Sequence, residues 1–120
     1  MRLRSDIWVA AYLRRCAAEG ASAVLRRRGS QEAGAIFVKI DRLNGEAAVF
    51  GPAPQSLTFD LAPGVDRLFT RLHKAEWIDP AEADRRLERE IEFDPDLWIV
   101  EVEDREGRPR LDLADPASRL

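Results

Sequence analysis

The sequence predicts an α+β domain: an antiparallel sheet of about four to five strands with two helices packed on one face, in the order α-β-β-β-β-α-β. Three observations carry this expectation. Ile36, Val38 and Ile40 alternate with Phe37, Lys39 and Asp41, the two-residue period of a strand with one buried face. Asn44-Gly45 follows at once, a strong signal for a type I′ hairpin turn, because both central residues of that turn need positive φ. Asp79-Pro80-Ala81-Glu82 is a dense helix start, with Asp as N-cap, Pro at the first helical position and Glu three residues after the cap.

Taken in order, Ser5 or Asp6 is expected to cap a helix that runs to about Glu19 and stops at Gly20. Val9, Tyr12, Leu13, Cys16 and Ala17 fall within one arc of it, with Trp8 at the margin. Residues 21–52 then read as three antiparallel strands joined by two hairpins. Residues 22–28 return through the glycine-bracketed turn 29–34 onto the Ile36 strand, and residues 46–51 follow Asn44-Gly45.

The proline- and glycine-rich stretch beyond them is a loop, with a short edge strand at residues 57–61 where Leu57, Phe59 and Leu61 alternate. Residues 67–75 alternate well enough for a strand, placing Leu68, Thr70 and Leu72 on one face and Phe69, Arg71 and His73 on the other. The second helix runs from Pro80 to about Glu92 on a narrow stripe of Ala83, Leu87 and Ile91, with Glu82 and Arg86 paired at i,i+4. Asp94-Pro95-Asp96 ends it, since the residue before proline is pushed out of the α region. Residues 97–104 form the last strand, with Trp98, Val100 and Val102 on one face. A short returning strand at 110–113 and a frayed tail over 114–120 complete the expectation.

A chain of 120 residues fits one domain, 1–120, and 45% hydrophobic with 34% charged residues is an ordinary globular balance. A net charge of -3 argues against a protein held on nucleic acid by its overall field. The single cysteine, Cys16, excludes an internal disulfide and a multi-cysteine zinc site, and it reads as a small core residue. The start lacks the apolar core of a signal peptide, and no stretch reaches membrane-spanning length, so a soluble cytoplasmic protein without membrane contact is expected.

Three groups of residues are candidates for function. Arg26, Arg27 and Arg28 precede the glycine-bracketed turn, with Lys39 and Arg42 on the neighbouring strand, a set of cations suited to phosphate or an acidic partner. In a regular strand, however, Arg26 and Arg28 point one way and Arg27 the other, which divides the run and leaves cross-strand pairing with acids as the plainer explanation. Glu101 and Glu103 share one face of the last strand, a spacing that suits a divalent cation or an acid-base pair and equally suits an outward face balanced by arginines. His73, the only histidine, has no nucleophile motif to serve and no companion histidines, and is expected on the surface. The glycines match neither a Walker loop nor a dinucleotide fingerprint, so no cofactor, metal or catalytic residue is assigned. Trp8 and Trp98 read as core, and Trp77 as core or an exposed anchor.

Taken together, LRRRG, AGAIFVKIDRLNGEAAVFGPAPQ and EFDPDLWIVEVEDREG resemble a small bacterial family, chiefly alphaproteobacterial, known as a domain of unknown function. The resemblance runs from Ile7-Trp8-Val9 to Gly107 and implies a bacterial, single-domain cytoplasmic protein; it brings no activity or cofactor with it.

The expected function is a small non-catalytic protein-interaction module, open to self-association, using an exposed edge strand or the sheet face that carries Phe37, Lys39, Arg71, Glu101 and Glu103. The partner-binding candidates are Arg26, Arg27, Arg28, Lys39, Arg71, Glu101 and Glu103. A nucleic-acid binder using Arg14, Arg15 and the Arg26 to Arg28 run is the first alternative. An enzyme whose site assembles from Glu101, Glu103, His73 and an arginine is the second.

Overall fold

The computed structural model describes residues 2–54, 61 and 63–114. Its elements run α1 (Ser5–Ala18), β1 (Ser22–Arg27), β2 (Ile36–Asp41), β3 (Ala47–Pro52), β4 (Phe69–Arg71), α2 (Pro80–Phe93) and β5 (Trp98–Glu103). The α+β class and the element order are those expected. The sheet is five-stranded, in the order β1-β5-β2-β3-β4. It is mostly antiparallel, with β2 and β5 forming a parallel pair.

That strand order corrects the expected hairpin between β1 and β2. β5 enters between them, pairing Ala23 with Val102 and Leu25 with Val100 on one side, and Val38 with Val100 and Ile40 with Val102 on the other. The glycine-bracketed segment is therefore no tight turn. It spans the extra strand and cradles its start: Ser30 N–H donates to the Asp96 carbonyl at 2.8 Å, Trp98 N–H to Ala35 at 2.8 Å, and Trp98 Nε1–H to Ser30 at 2.7 Å. Gly29 and Gly34 allow this approach, because a Cβ on either would overlap the Asp96 carbonyl.

The helices also divide between the two faces instead of sharing one. Val9, Tyr12 and Cys16 of α1 pack on Ile36, Val38, Ile40, Val100 and Val102. Ala83 and Leu87 of α2 pack on Phe37, Val49 and Ile99. The reason is that β2 and β3 are buried on both sides along almost their whole length, so the face read as wet carries a second apolar layer that needs its own cover. Cys16 is fully buried, in keeping with a packing use.

Local signals are kept or modified in detail. Gly20 takes φ +83 and ends α1, but the start of α1 has no side-chain cap; its first N–H groups donate instead to the Glu32 and Gln31 carbonyls at 3.2 and 3.0 Å. At the start of α2 the Asp79 carboxylate accepts the Ala81 N–H, as the sequence predicts. The β2–β3 connection is longer than a two-residue type I′ turn: Leu43 and Gly45 take positive φ, and Arg42 N–H donates to the Glu46 carbonyl at 2.9 Å.

β4 is shorter than expected, and its outer edge meets residues 112–114 at Phe69. Phe69 N–H donates to Asp112, and Ala114 N–H donates to Phe69. Residues 110–113 accordingly contribute a single parallel bridge, Leu113 to Phe69, and Ala114 is buried. The edge strand expected at 57–61 falls on residues of which only 61 is described, and the expected tail beyond 114 lies outside the described residues.

The slot for β5 makes Gly29 a sensitive position. A Gly29→Ala side chain meets backbone, 2.6 and 2.7 Å from the Leu97 carbonyl carbon and oxygen, and backbone cannot rotate away. Gly29→Ala is expected to lower stability by about 1–3 kcal/mol, whereas the exposed neighbour Ser30→Ala changes it by less than about 0.5 kcal/mol. Urea denaturation midpoints of the two variants check this.

Candidate interaction surface

β1 carries the arginine run, and a bulge decides where its side chains go. The register with β5 shifts between Leu25 and Arg27, so the alternation expected of a regular strand breaks at Arg26. Arg26 Nε reaches Glu101 at 2.9 Å, and Arg27 donates to the Pro95 carbonyl at 2.6 Å. Arg28 instead lies over the Trp98 ring, 5.5 Å from its centroid, on the α1 side. The run is thus distributed among separate intrachain partners.

Lys39 and Glu101, expected on an open charged face, lie beneath α2. Lys39 is buried at 4% exposure, with Nζ 2.8 Å from Asp84 of α2 and 3.9 Å from Glu101, which Arg26 also holds. This chain of charges ties α2 to the sheet and removes Lys39 from any surface. Asp84 was not singled out from sequence; its signal was its place one residue beyond Ala83 on a helix assumed to sit elsewhere. Glu103 alone of the predicted acids is exposed, and no ion pair reaches it among the described residues.

Arg71 lies on the opposite side of the sheet from Lys39. It pairs with Phe50 across the β3–β4 ladder, its guanidinium stands 4.8 Å from the Phe50 ring centroid, and Trp77 lies 5.5 Å away. Arg42 approaches the same indole at 4.7 Å and binds Glu46 at 2.8 Å. Trp77 is therefore half-buried between guanidinium groups, a structural stack of the cation–π kind. The face expected to unite Phe37, Lys39, Arg71, Glu101 and Glu103 is not one surface.

Other charged residues, not singled out by the sequence reading, meet at the end of β5. The buried Arg110 guanidinium joins Glu19 at 2.7 Å and Asp104 at 3.1 Å, and Arg108 reaches Asp104 at 3.2 Å. Burial pushes the Asp104 carboxyl up, but the Glu106 N–H and the Arg108 side chain and N–H outweigh it and hold the pKa below the ordinary carboxylate value. An open cleft of about 380 Å³ adjoins this network; Arg105, Arg108 and Arg110 line it, and Arg108 and Arg110 are committed to these acids.

His73 is half-buried and structural rather than a free surface residue. Its Nε2 accepts the Val49 N–H at 3.0 Å, so Nδ1 carries the proton and donates to the Ala75 carbonyl at 2.7 Å. It stands beside β3, separated from Glu101 and Glu103 on β5 by the width of β2 and β3, so the histidine and the carboxylates do not converge.

The outer edge of β1 is different in kind. No backbone hydrogen bond other than the β5 ladder reaches Ser22–Arg27 among the described residues, while the opposite sheet edge, β4, is bridged at Phe69 by residues 112–114. Val24, on that open strand, is 50% exposed. No helix among the described residues is long and apolar enough to cross a membrane.

The His73 contacts predict a pH dependence. Burial lowers its pKa below the ordinary histidine value, Arg71 and Arg86 add to the effect, and the Ala75 carbonyl and Glu82 oppose it. The unfolded chain therefore binds the proton more tightly. The stability that neutral His73 contributes is present above the unfolded pKa and is lost as pH falls through the lower folded value. Thermal melts from neutral to acid pH are expected to show an acid-side loss that His73→Gln reduces, and His73→Ala is expected to cost about 1–3 kcal/mol at neutral pH by stranding the Val49 N–H.

With this geometry established, comparison with known proteins places the chain. A family model described as "Protein of unknown function (DUF1491)" matches residues 3–112. The chain is 35% identical to a DUF1491 family protein from Caulobacter crescentus CB15, whose crystal structure superposes with a TM-score of 0.75 over 96% of this chain and 100% of that one. Protein Atu0922 from A. tumefaciens, solved in solution, is 39% identical, with a TM-score of 0.70 over 86% of each chain. No curated protein matches the chain. An interleaved β1-β5-β2 sheet covered on both faces, matched in sequence across nearly its whole length, is thus shared with solved relatives, and the chain belongs to the DUF1491 family.

Proposed function

We propose that this protein is a small, non-catalytic interaction module of the bacterial cytoplasm that takes a partner strand along the open edge of β1. The observation that carries the reading is that, among the described residues, nothing pairs with the outer backbone of β1, while the other edge of the sheet is bridged at Phe69. Such an edge offers a row of N–H and C=O groups that a second strand pairs with directly, so affinity comes from the main chain and selectivity from the side chains flanking it. On β1 these are half-buried Ala23 and Leu25 toward the α1 side, and exposed Val24 toward the other. The bulge at Arg26 limits the regular ladder to the N-terminal part of the strand. The charged-face version of this function loses support from the burial of Lys39 and the separation of Arg71.

Affinity purification of the tagged chain from its native bacterium, where the untagged chain is also present, with and without nuclease, tests the reading. Recovery of a stoichiometric protein that survives nuclease is expected for the wild type. Val24→Lys, which places a charge on the edge and leaves the β5 ladder intact, is expected to reduce that recovery at least about tenfold. Recovery that depends on nucleic acid, no recovery at all, or equal recovery by Val24→Lys would each overturn it.

A further inference from the structure

We infer that the strand taken up by β1 is β1 of a second copy of this chain, paired antiparallel about a two-fold axis centred on Val24; the inference rests on the edge reading above. An axis perpendicular to a sheet keeps its faces, so each residue must oppose one that points to the same side, and the pairing must centre on a residue. Centring on Val24 sets it against Val24 of the partner subunit, Ala23 against Leu25 of the partner subunit, and Ser22 against Arg26 of the partner subunit.

Three features of β1 select that register. The regular ladder before the bulge comprises residues 22–25, and a centre on Val24 keeps Ala23, Val24 and Leu25 of both copies within it. Val24 is the most exposed apolar side chain of the strand, at 50%, and self-pairing covers it. On the α1 side, Ala23 and Leu25 pack against the larger core, so setting them against their counterparts makes the cores of the two copies continuous.

Charge supplies the complementarity. Within one chain Ser22 pairs with Glu103, which is exposed and joined by no ion pair among the described residues. Opposing Ser22 to Arg26 of the partner subunit brings that guanidinium toward Glu103 across roughly two strand spacings, about 9–10 Å between backbones, which the two long side chains span together. Arg26 is more than half exposed despite its bond to Glu101 and has donors to spare. The arrangement is repeated by symmetry, basic end against acidic end. Centring on Leu25 instead would draw the two arginine runs together.

Cysteine pairing tests both the partner and the register. In the Val24-centred dimer, Val24→Cys places two thiols on directly opposed residues, about 4.5–5.5 Å apart at Cα and within disulfide range. Ser22→Cys thiols are about 13 Å apart along the strands and out of range. Cys16 is fully buried and does not compete. Under mild oxidation Val24→Cys is expected to form a covalent dimer and Ser22→Cys to remain monomeric. Sedimentation velocity of the wild type is expected to show a concentration-dependent monomer–dimer equilibrium, weakened at least about tenfold by Val24→Lys and about fivefold by Glu103→Lys.

A wild type that stays monomeric at about 1 mM, or equal cross-linking of both cysteine variants, would overturn the inference. A monomeric wild type whose Val24→Lys variant still loses a different, nuclease-resistant partner would leave the edge reading standing and remove only the second copy. Matching melting temperatures for wild type and variants separate loss of pairing from loss of folding.

Discussion

β5 bonds along both of its edges, and to admit it the chain holds β1 and β2, near neighbours in sequence, about two strand spacings apart. The slot cannot be left half made. Among the described residues β1 has no sheet partner except β5, and the connection from β1 to β2 is positioned by its bonds to Asp96, Trp98 and the backbone around them. Glycine at 29 and 34 is what lets two backbone segments meet there without side chains between them.

The two-sided core follows from the same insertion. With β5 in the interior, β2 becomes a central strand with neighbours on both sides, and the alternate residues Phe37 and Ile99 face a second layer that α2 must cover. Lys39 falls inside that layer, and its burial is tolerable because Asp84 and Glu101 meet its ammonium group. The insertion also sends β1 to the rim of the sheet. The edge that the functional reading depends on exists because the chain's last strand took the place that a simple hairpin would have given to β1.

Much of this architecture is legible in the sequence, and the division between what is and is not follows range. Signals contained within a few residues read correctly: Asp79-Pro80 starts α2, Gly20 ends α1, and the alternation of Ile36 to Asp41 marks β2. Pairings made over long range do not. Nothing local to Ser22 or Ile36 announces a strand more than fifty residues later between them, and glycines that make room for it look the same as glycines of a turn. Lys39 and Asp41 likewise read as a wet face, since alternation reports which residues differ and not whether a helix covers them. The candidate residues suffered accordingly. Arg26 and Glu101 do meet, Lys39 is buried with them, and Arg71 stands on the other face for reasons of strand register alone. An exposed edge strand is expected from the sequence, but which strand lies at the edge depends on the topology.

Residue-resolved amide hydrogen exchange along β1, followed from dilute to concentrated protein, tests the central claim most directly. With β5 bonded to one side of β1 and the other side open, alternate amides are expected to be protected together with those of β5. The intervening amides are expected to exchange fast in dilute protein and to slow as it is concentrated. Uniform protection of β1 in dilute protein would mean that its edge is already covered, and uniform lack of protection would mean that β1 is not docked on β5; either result would contradict the account.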